Sequence, residues 1–407
     1  MLSRLADPAL LALRAELAHV DVLMRNGIMT HEATGLPYFT GYSYNMLYDW
    51  DQFFEAIVQI YMGWPSTYMR NGVELFLRAQ REDGFIPRSV PVDGYHAVEH
   101  TKPFLAQIAW LVWQAYGEID WLRGELFTRL RRFLDYWLYD MDGDGDGLSE
   151  WMSSPHTGMD NQHERAGYWN DRVSAGVDLN CYLVREARAF AALAEVLGDT
   201  ALVTEYRRVA DTRTATIRAL LWDDEDGFFY DRNARNGQEF CRHIGYGVNL
   251  SWSRESNGPR IKVKSIAAFA ALWARVATPE QAQRLVFEHL FNPREFYTPR
   301  PFAALAKSER WYSPIAFPGD LGCNWRATVW IPTNYMVYHG LRWYGYRDFA
   351  SLVARETHQL MTTAGDREYY CAETGQGRGL DPFWGWSLLG HFFPYEEGVA
   401  SPLVGLE

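Results

Sequence analysis

Hydrophobic positions in this chain recur mostly with the spacing of amphipathic helices. Between residues 8 and 24, apolar side chains stand at the i, i+3, i+4 spacing that places them on one helix face. The same pattern predicts further helices at 50–62, 66–80, 102–117, 122–139, 174–197, 200–220, 264–276, 279–291, 327–344 and 346–363. Runs with strand periodicity are few and short, so we predict an all-α protein with roughly eleven or twelve long helices.

The order of these helices favours one arrangement over another. No linker rich in Ser, Gly, Pro or a single charge interrupts the chain, and no repeat of fixed period is visible. The absence of a repeat disfavours a solenoid, whereas helix pairs that each bury one face can close into a ring. We therefore predict a single domain over residues 1–407, built as a closed double ring of six helical hairpins.

Long loops separate several of the predicted helices. They are rich in Trp, Tyr, Asp and Glu, and lie at 30–50, 81–101, 140–172 and 365–387. Loops of this length in a compact domain are usually functional. Aromatic residues make up 15% of the chain, which is compatible with a large helical core and with a cleft whose rings stack on sugar faces.

Charge and cysteine content exclude several classes of partner. A formal net charge of −12 repels phosphate backbones and anionic lipids, so neither nucleic acid nor membrane is expected as a partner. No stretch reaches about 18 uncharged apolar residues, and the N-terminus lacks the apolar region of a signal peptide. Cys181, Cys241, Cys323 and Cys371 form no CxxC pair, which indicates free thiols and a cytoplasmic location.

Two carboxylic acids in the loops are candidates for general acid and base. Asp160 follows a glycine turn in HTGMDNQ, and Glu368 stands among aromatic residues in DREYYCAETG. Burial near apolar groups could raise a carboxyl pKa enough for proton transfer near neutral pH. The alternatives are an Asx turn or helix N-cap for Asp160 and a surface salt bridge involving Arg367 for Glu368.

Tryptophans beside polar residues suggest a sugar pocket. Trp50 and Asp51 lie in YDWDQFF at a predicted helix start, where Asp49 or Asp51 could instead only cap the helix. The segments NWRATVW and FWGWS offer similar surface through Trp325, Arg326, Trp330, Trp384 and Trp386, any one of which could belong to the core.

Motifs for metal or cofactor chemistry are weak or missing in the sequence. It contains no HExxH helix motif, GxSxG elbow, Walker A loop or dinucleotide-binding glycine pattern. Asp142, Asp144 and Asp146 resemble half of an EF-hand loop, but its twelfth position is Ser153 instead of Glu. We expect no metal and no organic cofactor, and the sequence leaves open whether this Asp-rich turn binds Ca²⁺.

Several segments together resemble glycoside hydrolase family 63 and, more distantly, the family 37 trehalases. The resemblance runs in order from about residue 42 to residue 387, over YNMLYDWDQFFEAI, REDGFIPR, DGDGLSEW, TGMDN, LWDDEDGFFYD, NWRATVWIPTNYM, REYYCAETGQGRG and WGWS. The likeness is closest to the small bacterial members that hydrolyse mannosylglycerate or glucosylglycerate.

This resemblance implies an (α/α)6 barrel with an active-site face covered by loops, and an inverting hydrolysis of a small-molecule glycoside. It assigns the general acid to Asp160 and the general base to Glu368. Substrate binding is expected from Tyr44, Trp50, Asp51, Lys102, Gln107, Trp325, Arg326, Trp384 and Trp386. The chain departs from the family pattern at His156, at Lys102 and at Ala327–Thr328, which puts the substrate in question more than the chemistry.

Two other functions stay open at this point. A sugar 2-epimerase can use the same helical barrel with paired histidines, for which His156, His163 and His243 are candidates. A catalytically silent sugar-binding barrel is the second alternative. The sequence also leaves open whether the protein forms a homo-oligomer.

Overall fold

The computed structural model describes residues 5–92, 94, 96–167, 172, 174–234, 259–317 and 323–399. Its helices are α1 Pro8–Glu16, α2 Ala18–Met24, α3 Asp51–Met62, α4 Thr67–Arg78, α5 Leu105–Tyr116, α6 Glu125–Asp135, α7 Ser154–Thr157, α8 His163–Ala166, α9 Val177–Leu197, α10 Thr200–Leu220, α11 Ala270–Trp273, α12 Pro279–Arg284, α13 Ile331–Trp343, α14 Arg347–Ala364 and α15 Phe393–Gly398. Single-turn extensions lengthen α6 through Tyr136–Asp140, α11 through the preceding Ile266–Phe269 and α12 through Leu285–Leu290.

Six helical segments of the described chain form a closed inner ring. In order, α3, α5, α9, α11, α13 and the 3₁₀ segment Trp386–His391 each contact the next, and the last contacts α3 again. Helices α1–α2, α4, α6, α10, α12 and α14 run between them on the outside. The all-α prediction and the (α/α)6 barrel are therefore confirmed.

Side-chain pattern explains which helices are inside. Every residue of α3 is buried, because a helix enclosed by neighbours on all sides needs no polar face. The helix ends at Gly63, whose φ of +79° is the left-handed conformation that glycine adopts most readily at a helix C-terminus. By contrast α14, on the outside, buries only one stripe that includes Ala350, Val353 and Leu360.

Short antiparallel strands pair segments of the loops that connect the helices. They are β1 Ile28–Thr30, β2 Pro37–Phe39, β3 Leu47–Tyr48, β4 Ser89–Val90, β5 Ser174–Ala175, β6 Trp222–Asp223, β7 Phe228–Phe229, β8 Asp231–Asn233, β9 Arg260–Ile261, β10 Thr328–Val329, β11 Tyr369–Cys371 and β12 Gly377–Arg378. Strand β3 pairs with β4, and β11 pairs with both β10 and β12. These small sheets fix the loops relative to one another.

Several predicted boundaries need correction. The helix predicted at 8–24 is interrupted at Leu17. The predictions at 174–197 and 327–344 began too early, because each pattern opens with a two-residue strand before the helix begins at Val177 or Ile331. None of the helices in the described part of the chain is long and apolar enough to cross a membrane.

Candidate active site

A cavity of about 280 Å³ opens where the inner helices begin. Trp50 precedes the first residue of α3, Trp330 precedes α13, and Trp386 begins the closing 3₁₀ segment. The described residues that line the cavity are Tyr42, Tyr44, Tyr48, Trp50, Asp51, Arg88, Pro155, Gly158, Asp160, Cys323, Trp325, Trp330, Glu368 and Trp386. Asp160 and Glu368, which are far apart in sequence, therefore face the same space.

Asp160 stands on a turn that approaches the cavity wall closely. The short helix α7 ends at Gly158, whose φ is +83°, and a Cβ at this position would lie 3.0 Å from the Trp50 ring and 2.9 Å from Lys102 Cε. Glycine therefore allows the turn to pack against Trp50. The Asp160 carboxylate accepts the Cys323 backbone N–H at 3.3 Å and contacts the Arg88 guanidinium at 3.5 Å.

Glu368 immediately precedes strand β11 and is fixed by two donors. The Leu380 backbone N–H donates to its Oε2 at 3.0 Å, and the Cys323 thiol donates to its Oε1 at 3.3 Å. A Cβ on Gly379 would lie 2.2 Å from Oε2, so this turn leaves the room that the carboxylate occupies. The alternative of a salt bridge to Arg367 is not found, since Arg367 pairs with Asp381.

Cys323 lies between the two carboxyl groups. Its backbone N–H binds Asp160 and its thiol binds Glu368, so one residue sets their relative position. Burial raises the pKa of both carboxyl groups. It also raises the pKa of the Cys323 thiol, which is further raised by the two nearby carboxylates, and the thiol thus stays protonated and can donate.

Arg88 is the cation nearest to Asp160, but it has a stronger partner. It donates to Glu99 at 2.9 Å and to the Pro155 carbonyl at 2.8 Å, whereas Asp160 is at 3.5 Å. The charge of Glu99 compensates much of the charge of Arg88. The lowering effect of Arg88 on the pKa of Asp160 is accordingly smaller than the raising effect of burial.

Asp51 is a third carboxyl group in the cavity lining. Its Oδ1 accepts the Tyr42 hydroxyl at 3.1 Å. Burial, followed by the charge of Asp49, raises the pKa of Asp51 to about 7. Asp49 itself is paired with Lys102, whose ammonium lies 2.8 Å from Oδ2.

Aromatic rings form much of the remaining wall. Trp325 and Trp330 are stacked with centroids 3.7 Å apart and planes 6° from parallel. The indole of Trp386 donates to the Glu368 carbonyl at 3.0 Å, and Tyr44 stands at the rim with 44% of its surface exposed. Flat rings beside carboxylates are the usual lining of a sugar-binding pocket.

Four predicted substrate-binding residues lie outside the described cavity lining, and their role in substrate binding stays a prediction. Gln107 is occupied in the barrel interior, where it donates to Glu186 at 3.2 Å and accepts from Arg185 at 3.0 Å. The other three also have partners behind the wall: Lys102 with Asp49, Arg326 with Glu164 at 3.4 Å, and Trp384 with the Thr40 carbonyl at 3.0 Å. Tyr44, Trp50, Asp51, Trp325 and Trp386 do line the cavity.

Other cavity residues were not predicted. Tyr42 and Tyr48 lie beside Tyr44 in the cavity lining. The ring centroid of Tyr42 is 5.1 Å from that of Tyr44 and 5.0 Å from that of Tyr48. Arg88 ends the REDGFIPR segment that carried part of the family resemblance, so that motif was the available signal. Cys323 carries no local signal, because its importance depends on two distant partners.

The histidines proposed for an epimerase do not line the described part of this cavity. His156 packs against His100 with centroids 5.6 Å apart, and burial lowers the pKa of His156 well below its ordinary value. His163 is hydrogen-bonded to Ser154. His243, the third candidate, and Cys241 lie outside the described residues.

The Asp-rich turn is organised by its own backbone. The carboxylates of Asp142, Asp144 and Asp146 lie within 4.8 Å of one another and could hold a metal ion. Asp142 and Asp146 accept backbone N–H groups within the turn, and Arg232 also pairs with Asp146. Whether this turn binds Ca²⁺ stays open.

The helical barrel, with two carboxyl groups that line one aromatic cavity, is of the glycoside hydrolase type. Residues 44–387 match the family model described as the mannosylglycerate hydrolase MGH1-like glycoside hydrolase domain, and the chain therefore belongs to that family.

Individual relatives agree with this assignment. The chain is 32% identical to a mannosylglycerate hydrolase of Thermus thermophilus, over 52% of this chain and 43% of the relative. It is 28% identical to the mannosylglycerate hydrolase of Rubrobacter radiotolerans, over 52% and 41%. The chain thus spans less than half the length of each of these two relatives.

Solved structures show the same fold. The crystal structure of a family 63 mannosylglycerate hydrolase from Thermus thermophilus in complex with glucose superposes with a TM-score of 0.70 at 22% identity, covering 94% of this chain and 100% of the other. The neutral trehalase Nth1 of Saccharomyces cerevisiae gives 0.65 at 19% identity, over 93% and 78%.

Proposed function

We propose that this protein is an inverting, exo-acting glycoside hydrolase that cleaves a small glucoside or mannoside. The main support for this proposal is that Asp160 and Glu368 line one cavity and that both accept a hydrogen bond from Cys323. An inverting pair needs carboxyl groups about 6.5–9.5 Å apart, which leaves room for a water molecule, whereas a retaining pair is about 5–5.5 Å apart. We propose the wider, inverting spacing for Asp160 and Glu368, and the anomer that the enzyme releases first tests it.

In the proposed reaction, Asp160 protonates the glycosidic oxygen and Glu368 takes a proton from the attacking water. The leaving alcohol departs with the proton of Asp160, and the water oxygen forms the new bond to the anomeric carbon from the opposite face. Burial raises the pKa of Asp160, which favours the protonated form that this step needs. Glu368 must be ionised to act, and the Leu380 N–H and Cys323 thiol stabilise that form.

The cavity supports a small substrate. Its volume of about 280 Å³ lies just below the roughly 300–1,000 Å³ of typical ligand pockets. A pocket of this size, lined by Asp51 and by stacked tryptophans, suits one terminal sugar unit and a short aglycone. Mannosylglycerate is the substrate named for two relatives; we propose it, glucosylglycerate and short α-gluco-oligosaccharides as the first candidates.

Hydrolysis of these candidates, together with trehalose, by purified protein is the direct test. We expect Asp160→Asn and Glu368→Gln each to lower turnover by about 10²–10⁴-fold, the usual contribution of general acid–base catalysis. Glu373→Gln, which removes a carboxylate engaged with Lys307 outside the cavity, is the matched control and should retain activity. Full activity of the Asp160→Asn protein would contradict the assignment.

The stereochemistry of the product tests the mechanism separately. Proton NMR during the first minutes of reaction should show the sugar released with the anomeric configuration opposite to that of the substrate. Release of the same anomer would exclude inversion. Incubation with free mannose and glucose tests the epimerase alternative, which predicts their interconversion.

Other features predicted from the sequence stay predictions. These are the single-domain organisation of residues 1–407, the cytoplasmic location and the absence of a cofactor. The oligomeric state is equally open, and light scattering of the purified chain would determine it.

A further inference from the structure

A second cavity, of about 510 Å³, lies at the far end of helix α13. Trp330 at the start of α13 belongs to the candidate active site, whereas Trp343 at its end lines this second cavity. With a rise of 1.5 Å per residue, the two tryptophans are about 20 Å apart along the helix. We call this cavity the arginine pocket; its lining is Arg188, Arg218, Arg275, Ala277, Pro279, Trp343 and Tyr344.

Three different elements contribute the arginines of this pocket. Arg188 comes from α9, Arg218 from α10, and Arg275 follows α11. Arg188 donates to the Ala274 carbonyl at 2.6 Å, and Arg218 donates to the Val276 carbonyl. Backbone carbonyls thus hold both guanidinium groups, and in the part of the chain that the structure describes, no carboxylate forms an ion pair with either.

Positive charge accumulates here although the chain as a whole has a formal charge of −12. Arg185 is buried, and its pKa is lowered well below the ordinary value by burial and then by the charges of Arg275 and Arg188. Burial also lowers the pKa of Arg188, although Asp211 acts in the opposite direction. An anion in the pocket would relieve this mutual repulsion.

Arg275 occupies a backbone position that normally favours glycine. Its φ of +56° is in the left-handed region. Arg275 lies just after the end of α11, and a residue that has a left-handed backbone at this position is usually glycine. The guanidinium carbon lies 3.4 Å from the ring centroid of Trp343, whose side chain is 52% exposed. An arginine at this position places a cation over an accessible ring, and glycine would give the same turn at lower conformational cost.

We propose that the arginine pocket binds a small metabolite that carries a phosphate group. Guanidinium groups match the oxygens of phosphate with paired hydrogen bonds, and three of them suit a doubly charged anion better than a single carboxylate. The pocket volume is that of a small-molecule site, and the negative charge of the whole chain disfavours a nucleic acid. Nothing in this proposal depends on the hydrolytic function.

Calorimetric titration with pyrophosphate and with glucose 6-phosphate, at constant ionic strength, tests the proposal. We expect saturable binding of at least one probe and a rise in Tm of about 3 °C at a concentration near 100 times Kd. Arg218→Ala should weaken binding about tenfold or more, because it removes a charge-assisted hydrogen bond. Arg355→Ala changes an exposed arginine of α14 outside the pocket and should bind like the wild type.

Arg275→Gly separates binding from folding. Glycine relieves the left-handed backbone strain, which offsets the loss of the contact with Trp343. The unliganded variant should therefore keep a Tm close to that of the wild type, while it loses binding about tenfold or more. Equal binding by Arg275→Gly, Arg218→Ala and wild-type protein would overturn the proposal. So would the absence of saturable binding, or binding of an acidic peptide when neither phosphate probe binds.

Discussion

At the scale of single residues, the candidate site depends on how Glu368 is held. Its two donors, Leu380 N–H and the Cys323 thiol, come from different loops. The position of the carboxylate can therefore be altered without replacing the carboxylate itself, which gives two tests of the mechanism.

Replacement of Gly379 by alanine should lower kcat by displacing Glu368. The new Cβ would lie 2.2 Å from Glu368 Oε2, and a shift of about 1 Å in a reacting group can cost about 10²-fold in rate. Gly117→Ala is the matched control, because Gly117 has nearly the same φ, +72° against +71°, and no atom within 4 Å of the added Cβ. Comparable loss of activity in both variants would trace the effect to backbone strain instead.

Replacement of Cys323 should change the pH profile more than the binding of substrate. Serine keeps a hydroxyl donor for Glu368, whereas alanine keeps only the backbone N–H for Asp160. The thiol bond lowers the pKa of Glu368 relative to burial alone, so in Cys323→Ala the acidic limb of kcat against pH should move to higher pH. Cys323→Ser should restore most of the wild-type limb; coincident limbs in all three proteins would contradict a positioning role for Cys323.

Sequence reasoning located Asp160 and Glu368 because each stands in a recognisable segment. It did not find Arg88 or Cys323, and two of its candidates, Gln107 and Lys102, lie outside the described cavity lining. The reason is physical: these side chains are defined by partners such as Glu186 and Asp49, which are distant in sequence. Residue type and spacing do not show whether a polar side chain points into the cavity or away from it.

At the scale of elements, the periodicity of apolar residues predicted most of the helices but not their ends. Strands β5 and β10 lie inside segments predicted as helix, because two-residue strands leave no periodic signal. The 3₁₀ segment Trp386–His391, which closes the inner ring, was not predicted at all, since its six residues make only two 3₁₀ turns and are too few for a periodic pattern. Some helix ends here, such as the start of α5, are fixed by tertiary contacts.

Glu186 illustrates such a tertiary contact. Helix α5 has no side-chain cap of its own, and Glu186 of α9 accepts the backbone N–H groups of Ala106 at 2.6 Å and Gln107 at 3.2 Å. Glu186→Ala should lower the free energy of unfolding by about 2–4 kcal/mol, because two buried N–H groups lose their acceptor. Chemical denaturation measures this change.

The control for this prediction is Glu125→Ala. Glu125 lies in the first turn of α6 and its side chain is exposed, so its removal should change the unfolding free energy by less than about 0.5 kcal/mol. An equally small effect of Glu186→Ala would show that α5 does not depend on a cap from α9.

At the scale of the whole molecule, the ring is closed by buried polar contacts as well as by apolar packing. Glu396 of α15 accepts the hydroxyls of Tyr61 in α3 and Tyr335 in α13, both at 2.6 Å, and lies 3.0 Å from His339 Nε2. It therefore links the first and fifth inner helices. The family resemblance predicted the (α/α)6 arrangement. It did not predict the cluster around Glu396, because the residues of this cluster are far apart in sequence and share no local motif.

Glu396→Gln should destabilise the protein in a pH-dependent way. Although burial raises its pKa, the charge of His339 and hydrogen bonds from His339, Tyr335 and Tyr61 lower the pKa of Glu396 below the ordinary 4.5. A lowered carboxyl pKa stabilises the fold above about pH 4.5, and this contribution is lost as pH falls through the lowered value. We expect a loss of about 2 kcal/mol at pH 7, which shrinks in acid.

Thermal unfolding at pH 7 and in acid distinguishes this effect from a general packing defect. The control is Glu397→Gln, one position further along α15, where the side chain is partly exposed. Its Tm should differ from that of the wild type by the same small amount at both pH values. If the difference in Tm between the wild type and Glu396→Gln were independent of pH, the charge of the Glu396 carboxylate would not be what stabilises the closed ring.

Ring closure also affects how the chain is made. Helix α3 needs two inner neighbours, but one of them, Trp386–His391, lies near the far end of the described chain. The ribosome adds about 5–20 residues per second, so the segment Trp386–His391 is synthesised on the order of tens of seconds after α3. During this time one apolar side of α3 has no partner. Until then the nascent barrel has an open seam, and a chaperone that shields such a seam would increase the yield of folded protein.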